Sequence, residues 1–215
     1  MKKQNYLTKF LLFFVFFIVI SSASAGPAVL VDDVDIAAKP SKTEMVSKVS
    51  SSKFSSAIDL RSQRRAGVGM LAFGQVGLAG ALIELNFAAS DSFVGQFGGG
   101  YRYNSLSFQW KHVFGGISFG PYATIGYSRW YNSNASKGSM TNSNPGILVS
   151  RFLNEEEKAS GQFAKDLFTP SVGFQYYQLS GEYLGSSLYA EVVFLTALSG
   201  PTLVPTGATG FIFYF

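Results

Sequence analysis

The sequence predicts an all-β protein: a closed antiparallel transmembrane β-barrel of about eight strands, preceded by a flexible N-terminal segment. Apolar residues alternate with polar or small residues through most of residues 66–215, which is the pattern of strands with one apolar face. Charged residues make up only 14% of the chain while aromatic residues reach 16%, so little polar surface is available to face water. The chain also ends in alternating phenylalanines.

Residues 1–25 have the three parts of a secretory signal peptide. Three lysines within residues 1–9 give a basic start, residues 10–20 are wholly apolar, and Ala23 and Ala25 form a small-residue exit. Eleven apolar residues are too few for a membrane-spanning helix, which needs about 20. We therefore expect cleavage after Ala25.

The basic balance of the chain comes largely from this leader. The 17 Lys and Arg residues exceed the 13 Asp and Glu residues by four, and loss of the three leader lysines leaves 14 against 13. A nucleic-acid-binding protein needs a basic patch, so we expect no nucleic-acid partner. The lack of cysteine excludes a disulfide scaffold, a thiolate metal site and a cysteine nucleophile.

Residues 26–65 differ in composition from the residues that follow. They are rich in Ser, Lys and Asp and contain one aromatic residue, Phe54, so they offer little apolar surface for a core. We expect a flexible periplasmic linker, with a short amphipathic helix through Met45, Val49, Phe54 and Ile58 as the alternative. The segment closes on a basic cluster that we expect to be solvated or to meet anionic lipid headgroups: Arg61, Arg64 and Arg65.

The alternation divides residues 66–215 into eight predicted strands. Their approximate bounds are 66–74, 76–88, 92–103, 105–114, 116–131, 168–178, 184–197 and 203–215. Residues 132–167 form a long polar insert, which falls on the external side if the barrel starts in the periplasm. A count of ten strands is the alternative, with one strand over residues 146–152 and another near Phe163.

The polarity of the second strand face separates a membrane barrel from a secreted soluble barrel, the competing interpretation. That face is rich in Gly, Ser, Gln and Thr, with few charges of both signs, as expected of a narrow interior where buried charges are paired. We predict a polar network inside the barrel: Glu84, Arg102, Lys111 and Glu191. We also predict that aromatic residues near strand ends form interfacial girdles: Tyr101, Tyr103, Trp110, Tyr127, Trp130 and Tyr131.

The last strand carries a further signal. Gly210 is followed by aromatic residues three and five positions later, Phe213 and the terminal Phe215. In this the chain resembles bacterial outer-membrane β-barrel proteins, the small OmpA/OmpX-type superfamily, although Ala208 stands where that family usually has a polar residue. The resemblance implies location in the bacterial outer membrane. It also implies that these three residues form a signal for the barrel-assembly machinery.

The sequence offers no catalytic, cofactor-binding or metal-binding site. His112 is the only histidine, so a Ser-His-acid triad would depend on it alone, and contact with the girdle or with lipid headgroups is the preferred role. Glu84 and Glu191 are expected to form interior salt bridges rather than an acid pair.

An eight-stranded barrel is just wide enough for side chains to fill it. We therefore expect a non-enzymatic membrane protein with a structural or surface-interaction role, in contact with outer-membrane lipid. An unknown extracellular ligand could bind residues 132–167. A small porin is the alternative function, and a lipid-modifying enzyme is the third.

Overall fold

The computed structural model describes residues 53–133, 138–143 and 145–215. The predicted signal peptide and most of the predicted linker lie outside these residues. The described elements are α1 (Ala57–Gln63), β1 (Ala66–Phe73), a 3-10 turn (Gly74–Val76), β2 (Ala79–Asn86), β3 (Asp91–Gly100), β4 (Tyr103–Val113), β5 (Phe119–Asn132), a π-helical turn (Leu148–Phe152), α2 (Glu155–Ser160), β6 (Ala164–Phe168), β7 (Ser171–Tyr177), β8 (Ser186–Ala197) and β9 (Leu203–Tyr214). In this part of the chain, no helix has the length and apolar character needed to cross a bilayer.

The strands form a closed antiparallel barrel. Apart from β6 and β7, each strand pairs with its neighbours along the chain, and β1 pairs with β9 to close the sheet. Strands β6 and β7 share one position, since both pair with β5 on one side and β8 on the other. They are separated at Pro170, which has no backbone N–H to donate. The barrel thus has eight positions, and the predicted fold class is confirmed.

Two predicted strand boundaries are wrong. The second strand begins at Ala79 rather than at residue 76, because the buried turn Gly74–Val76 folds into the end of the barrel. The sixth position begins at Ala164 rather than at residue 168. The ten-strand alternative is also wrong, because Leu148–Phe152 forms a helical turn and not a strand.

The outer wall of the barrel is apolar. Five residues on the apolar face of their strands show which way that face points. None of their side chains is buried: Phe119, Ile125, Phe174, Phe194 and Phe213. Exposed hydrophobic residues surround them on the strands, namely Val68, Met70, Ile83, Leu85, Phe93, Phe97, Leu106, Phe108, Trp110, Tyr127, Val172, Tyr176, Leu188, Val192 and Phe211. The intervening residues point inward, and many of these are buried polar residues. This polarity is the reverse of that of a soluble barrel.

The two ends of the barrel differ. Strand β1 begins and β9 ends at one edge, called here the terminal rim, where α1 also lies. The long connection between β5 and β6 lies at the opposite edge. The described part of this connection packs on the barrel rather than extending into solvent. Its residues Met140, Leu148 and Phe152 are buried against Trp130 and other side chains of that end.

We predict that Gly77→Ala destabilises the barrel. Gly77 has φ of 95°, and an added Cβ would lie 1.8 Å from the hydroxyl of Tyr103, which is fully buried. A strained backbone alone costs on the order of 1–3 kcal/mol. Urea unfolding of the refolded barrel measures this loss.

The matched control is Gly200→Ala, because a Cβ there would meet nothing within 4 Å. Equal unfolding midpoints for the two variants would contradict the inward packing of the Gly74–Val76 turn.

Candidate functional site: the barrel interior

The interior is organised around Glu84, whose side chain is fully buried. Its Oε1 lies 2.5 Å from Arg61 Nη1 and accepts a hydrogen bond of 2.8 Å from Ser92 Oγ. Its Oε2 accepts from Lys111 Nζ and from the Tyr214 hydroxyl, each at 3.0 Å. A buried carboxylate is tolerated only with such partners, so Glu84 links its own strand, β2, to three other strands and to α1.

Lys111 and Glu191 extend this network across the barrel. Lys111 Nζ also donates to Gln175 Oε1 at 2.5 Å and lies 4.6 Å from the centre of the Tyr122 ring. Glu191 is held by neutral donors instead: the hydroxyls of Ser171 at 2.6 Å and Tyr122 at 3.2 Å, and Gln75 Nε2 at 3.2 Å. The two carboxylates are therefore held in different ways.

Side chains fill the space between these groups. A cavity among these groups measures about 10 Å³, about the room that one water molecule needs. It is lined by Leu82, Glu84, Val94, Gln96, Gln109, Lys111, Tyr122, Thr124, Tyr189, Glu191 and Ile212.

Helix α1 closes the terminal rim. The backbone N–H of Ala57 donates to the carbonyl of Ile117 at 2.7 Å, and Arg61 Nε donates to the carbonyl of Ala89 at 3.0 Å. Arg61 is fully buried. Residues 57–63, assigned from sequence to a flexible linker, form a helix instead. This helix is docked on the barrel because Arg61 is the counter-charge of Glu84.

The start of α1 is stabilised locally. The Ser56 side chain accepts from the backbone N–H of Asp59 at 3.1 Å, as a helix N-cap does. The backbone N–H of Ser55 and the side chain of Gln63 donate to Asp59 and lower the pKa of that carboxyl. This contribution to stability is present above the unfolded-state pKa and is lost as the pH falls through the lower folded value.

The basic cluster that precedes β1 has three different environments. Arg61 is inside the barrel, and Arg64 Nη1 donates to the carbonyls of Leu184 at 2.9 Å and Tyr214 at 2.8 Å. Of the three, only Arg65 is exposed. The expectation that the cluster is solvated or meets headgroups is therefore wrong for Arg61 and Arg64.

The opposite end is closed by the Gly74–Val76 turn and aromatic side chains. The carbonyl of Gln75 accepts from Trp130 Nε1 at 2.7 Å and from Ser128 Oγ at 2.8 Å. The Trp130 ring stacks on Tyr103 with centroids 5.2 Å apart. Both aromatic residues were expected in a girdle; they point inward instead, because they stand at inward-facing positions of β5 and β4.

The structure places three of the four predicted network residues inside the barrel, and Arg102 is the exception. Arg102 lies between β3 and β4 with φ of 72°, and its guanidinium donates to the carbonyls of Ser139 at 2.8 Å and Gly138 at 3.0 Å. It thus binds the long loop at the rim, and Arg61 takes the role expected of it.

The residues of the predicted assembly signal lie on β9 and just after it. Gly210 pairs with Leu71 on β1 and Tyr189 on β8. The side chains of Phe213 and Phe215 are exposed on the outer wall. The backbone N–H of Phe215 donates to the carbonyl of Ala66 at 2.9 Å.

His112 stands on the outer wall, whereas Glu84 and Glu191 lie inside. The wall of the barrel therefore separates the histidine from both carboxylates. Its ring contacts Asp91 instead, with Nδ1 2.8 Å from Oδ1.

Sequence reasoning missed several interior residues: Arg61, Gln75, Gln175 and Tyr214. The interior location of Tyr214 and Gln175 could have been predicted from the sequence, because each stands between two outward-facing aromatic residues. Arg61 and Gln75 carried no signal, because neither lies in an alternating strand.

Comparisons with known proteins found one similar fold. No protein-family model matches the chain, and no curated protein matches it. The structure is similar to the crystal structure of the N-terminal beta-barrel domain of Pseudomonas aeruginosa OprF, with 17% identity and a TM-score of 0.48. The match covers 69% of this chain and 97% of that chain.

We predict that Glu84→Gln destabilises the barrel far more than Glu191→Gln. The first change leaves Arg61 and Lys111 without their shared carboxylate, and breaking a buried ion pair costs about 3–5 kcal/mol. The second change preserves the shape of a group held by neutral donors. Equilibrium unfolding in detergent compares the two variants.

Glu156→Gln is the control, because that carboxylate is exposed. If Glu84→Gln unfolds at the same urea concentration as the control, Glu84 does not have the central role assigned here.

Proposed function

We propose that this chain is an integral bacterial outer-membrane β-barrel protein with a sealed interior and a structural or surface-interaction role. The observation that carries the proposal is the inverted polarity of the barrel: an apolar outer wall encloses buried ion pairs. Lipid is the solvent that suits such a wall. Soluble monomers rarely expose apolar patches larger than a few hundred Å².

The filled interior favours an anchoring role over solute transport. Arg61, Glu84 and Lys111 occupy the half near the terminal rim, and α1 covers that rim. At the other end, Trp130, Tyr103 and buried residues of the long connection pack together. A porin would need an aqueous path through both layers.

The proposed orientation places the terminal rim in the periplasm and the connection between β5 and β6 outside the cell. Barrels of this kind have short periplasmic turns and longer external loops. The partners are then outer-membrane lipid and, during biogenesis, the barrel-assembly machinery. A surface ligand would meet the external connection. We propose no enzymatic activity, since the histidine and the two interior carboxylates lie on opposite sides of the wall.

The sealed interior predicts that the purified protein forms no stable channel. Inserted into planar bilayers, the protein should give no sustained openings on the nanosiemens scale. A known open porin in the same bilayers is the control for detection, and heat-modifiable gel migration verifies that the barrel is folded. Sustained openings by the folded protein would favour the porin alternative.

The exposed Phe215 ring predicts an assembly defect when it is lost. Phe215→Ala and deletion of Phe215 should each lower the amount of folded barrel in the outer membrane severalfold, because the proposed signal loses its terminal aromatic residue. Quantitative blotting of membrane fractions measures this amount. The control is Phe97→Ala, which removes an equally exposed ring from β3.

Comparison of the substitution with the deletion separates the loss of the aromatic ring from the loss of a backbone hydrogen bond. Deletion also removes the hydrogen bond from Phe215 to Ala66, whereas the substitution retains it. Normal membrane levels of Phe215→Ala would contradict the proposed signal.

A further inference from the structure

A polar cluster interrupts the apolar outer wall at the terminal rim. Asp91 is the first residue of β3, and His112, the penultimate residue of β4, is its cross-strand partner. Trp110 and Phe114, both exposed, flank the histidine. In a membrane, exposed aromatic residues of this kind mark the level of the headgroups.

The geometry holds the imidazole in one orientation. Asp91 Oδ1 lies 2.8 Å from His112 Nδ1 and accepts from Trp110 Nε1 at 3.2 Å, while Oδ2 accepts from Ser90 Oγ at 2.7 Å. The Phe114 ring packs against the imidazole in an edge-to-face arrangement, with centroids 4.9 Å apart. Among the described residues, none forms a hydrogen bond with Nε2.

The remaining nitrogen needs a polar partner. The His112 side chain is 30% exposed, so its second ring nitrogen can reach a partner outside the protein. A protonated imidazole has two donors, of which Asp91 accepts one. The second donor suits an anionic oxygen, because charge-assisted hydrogen bonds are the stronger ones. The oxygens of Asp91 already accept three hydrogen bonds, so a headgroup cation would find a poorer site.

We propose that His112, oriented by Asp91, binds the phosphate of a phospholipid headgroup at the terminal rim. The site fixes the depth of the barrel in the bilayer through one charge-assisted hydrogen bond from Nε2. This proposal rests on the proposed function, because it requires that the outer wall contacts lipid.

The test uses the fact that the chain has one histidine. The full-length barrel with ¹⁵N-labelled histidine is placed in phospholipid vesicles in mildly acidic buffer. A hydrogen bond of about 2.8 Å would bring phosphorus within about 4 Å of Nε2. Solid-state ¹⁵N–³¹P recoupling should therefore attenuate the Nε2 signal more strongly than the Nδ1 signal. Absence of attenuation in the folded, inserted barrel would overturn the proposal.

Asp91→Ala tests the orienting role of the carboxylate. This variant should lose the selective attenuation of Nε2 while it retains heat-modifiable migration. If the attenuation persists unchanged, the assignment of Asp91 is overturned. A matched variant, Ser180→Ala, changes a turn residue at the same rim and should leave the attenuation unchanged.

A second arm separates a lipid phosphate from free phosphate. The protein in maltoside detergent with added inorganic phosphate should show no attenuation, and attenuation there would overturn the lipid assignment. Contacts between Phe213 and lipid acyl protons report insertion independently. If those contacts are absent, the proposed function and this site both fail; if they are present without the ³¹P contact, only this site fails.

Discussion

The structure depends on the requirement that charges inside a narrow barrel be paired. Glu84 meets this requirement with Arg61 and Lys111, and further hydrogen bonds come from Ser92 and Tyr214. These partners come from the N-terminal helix, from β4, from β3 and from the last strand. Because an unpaired buried charge is costly, one carboxylate links the position of α1 to the register of the sheet.

This requirement also relates the interior to the proposed role. The residues that neutralise one another in the middle of the barrel fill it, and the cavity left among them is about 10 Å³. At the end opposite α1, the long connection packs apolar side chains against Trp130 and Tyr103. The Gly74–Val76 turn is held there by hydrogen bonds from Ser128 and Trp130 to the Gln75 carbonyl. The inner surface of the barrel is therefore occupied by contacts that stabilise the fold. The surfaces left for partners are the outer wall, the rims and the connection between β5 and β6.

The sequence predicted the environment of residues in regular strands better than that of residues outside them. Glu84, Lys111 and Glu191 were identifiable as interior residues because each occupies a polar position in a strand whose apolar and polar residues alternate with period two. Trp130 and Tyr103 were misplaced because proximity to a strand end was weighed above their inward-facing position in the same alternation. The helical turn Leu148–Phe152 was not predicted to cover the barrel, since its partners, among them Trp130 and Leu195, are distant in sequence.

The sequence by itself determined most of the strands and which residues share a face, because side chains of a strand alternate between faces whatever the surroundings. Only the tertiary structure decided that Arg61, rather than Arg102, joins Lys111 in pairing with Glu84. Arg102 lies in the barrel segment yet binds the carbonyls of a loop, whereas Arg61 lies before the barrel yet enters it. Such pairing depends on distance in space across a closed sheet, and a linear pattern carries no information about that distance.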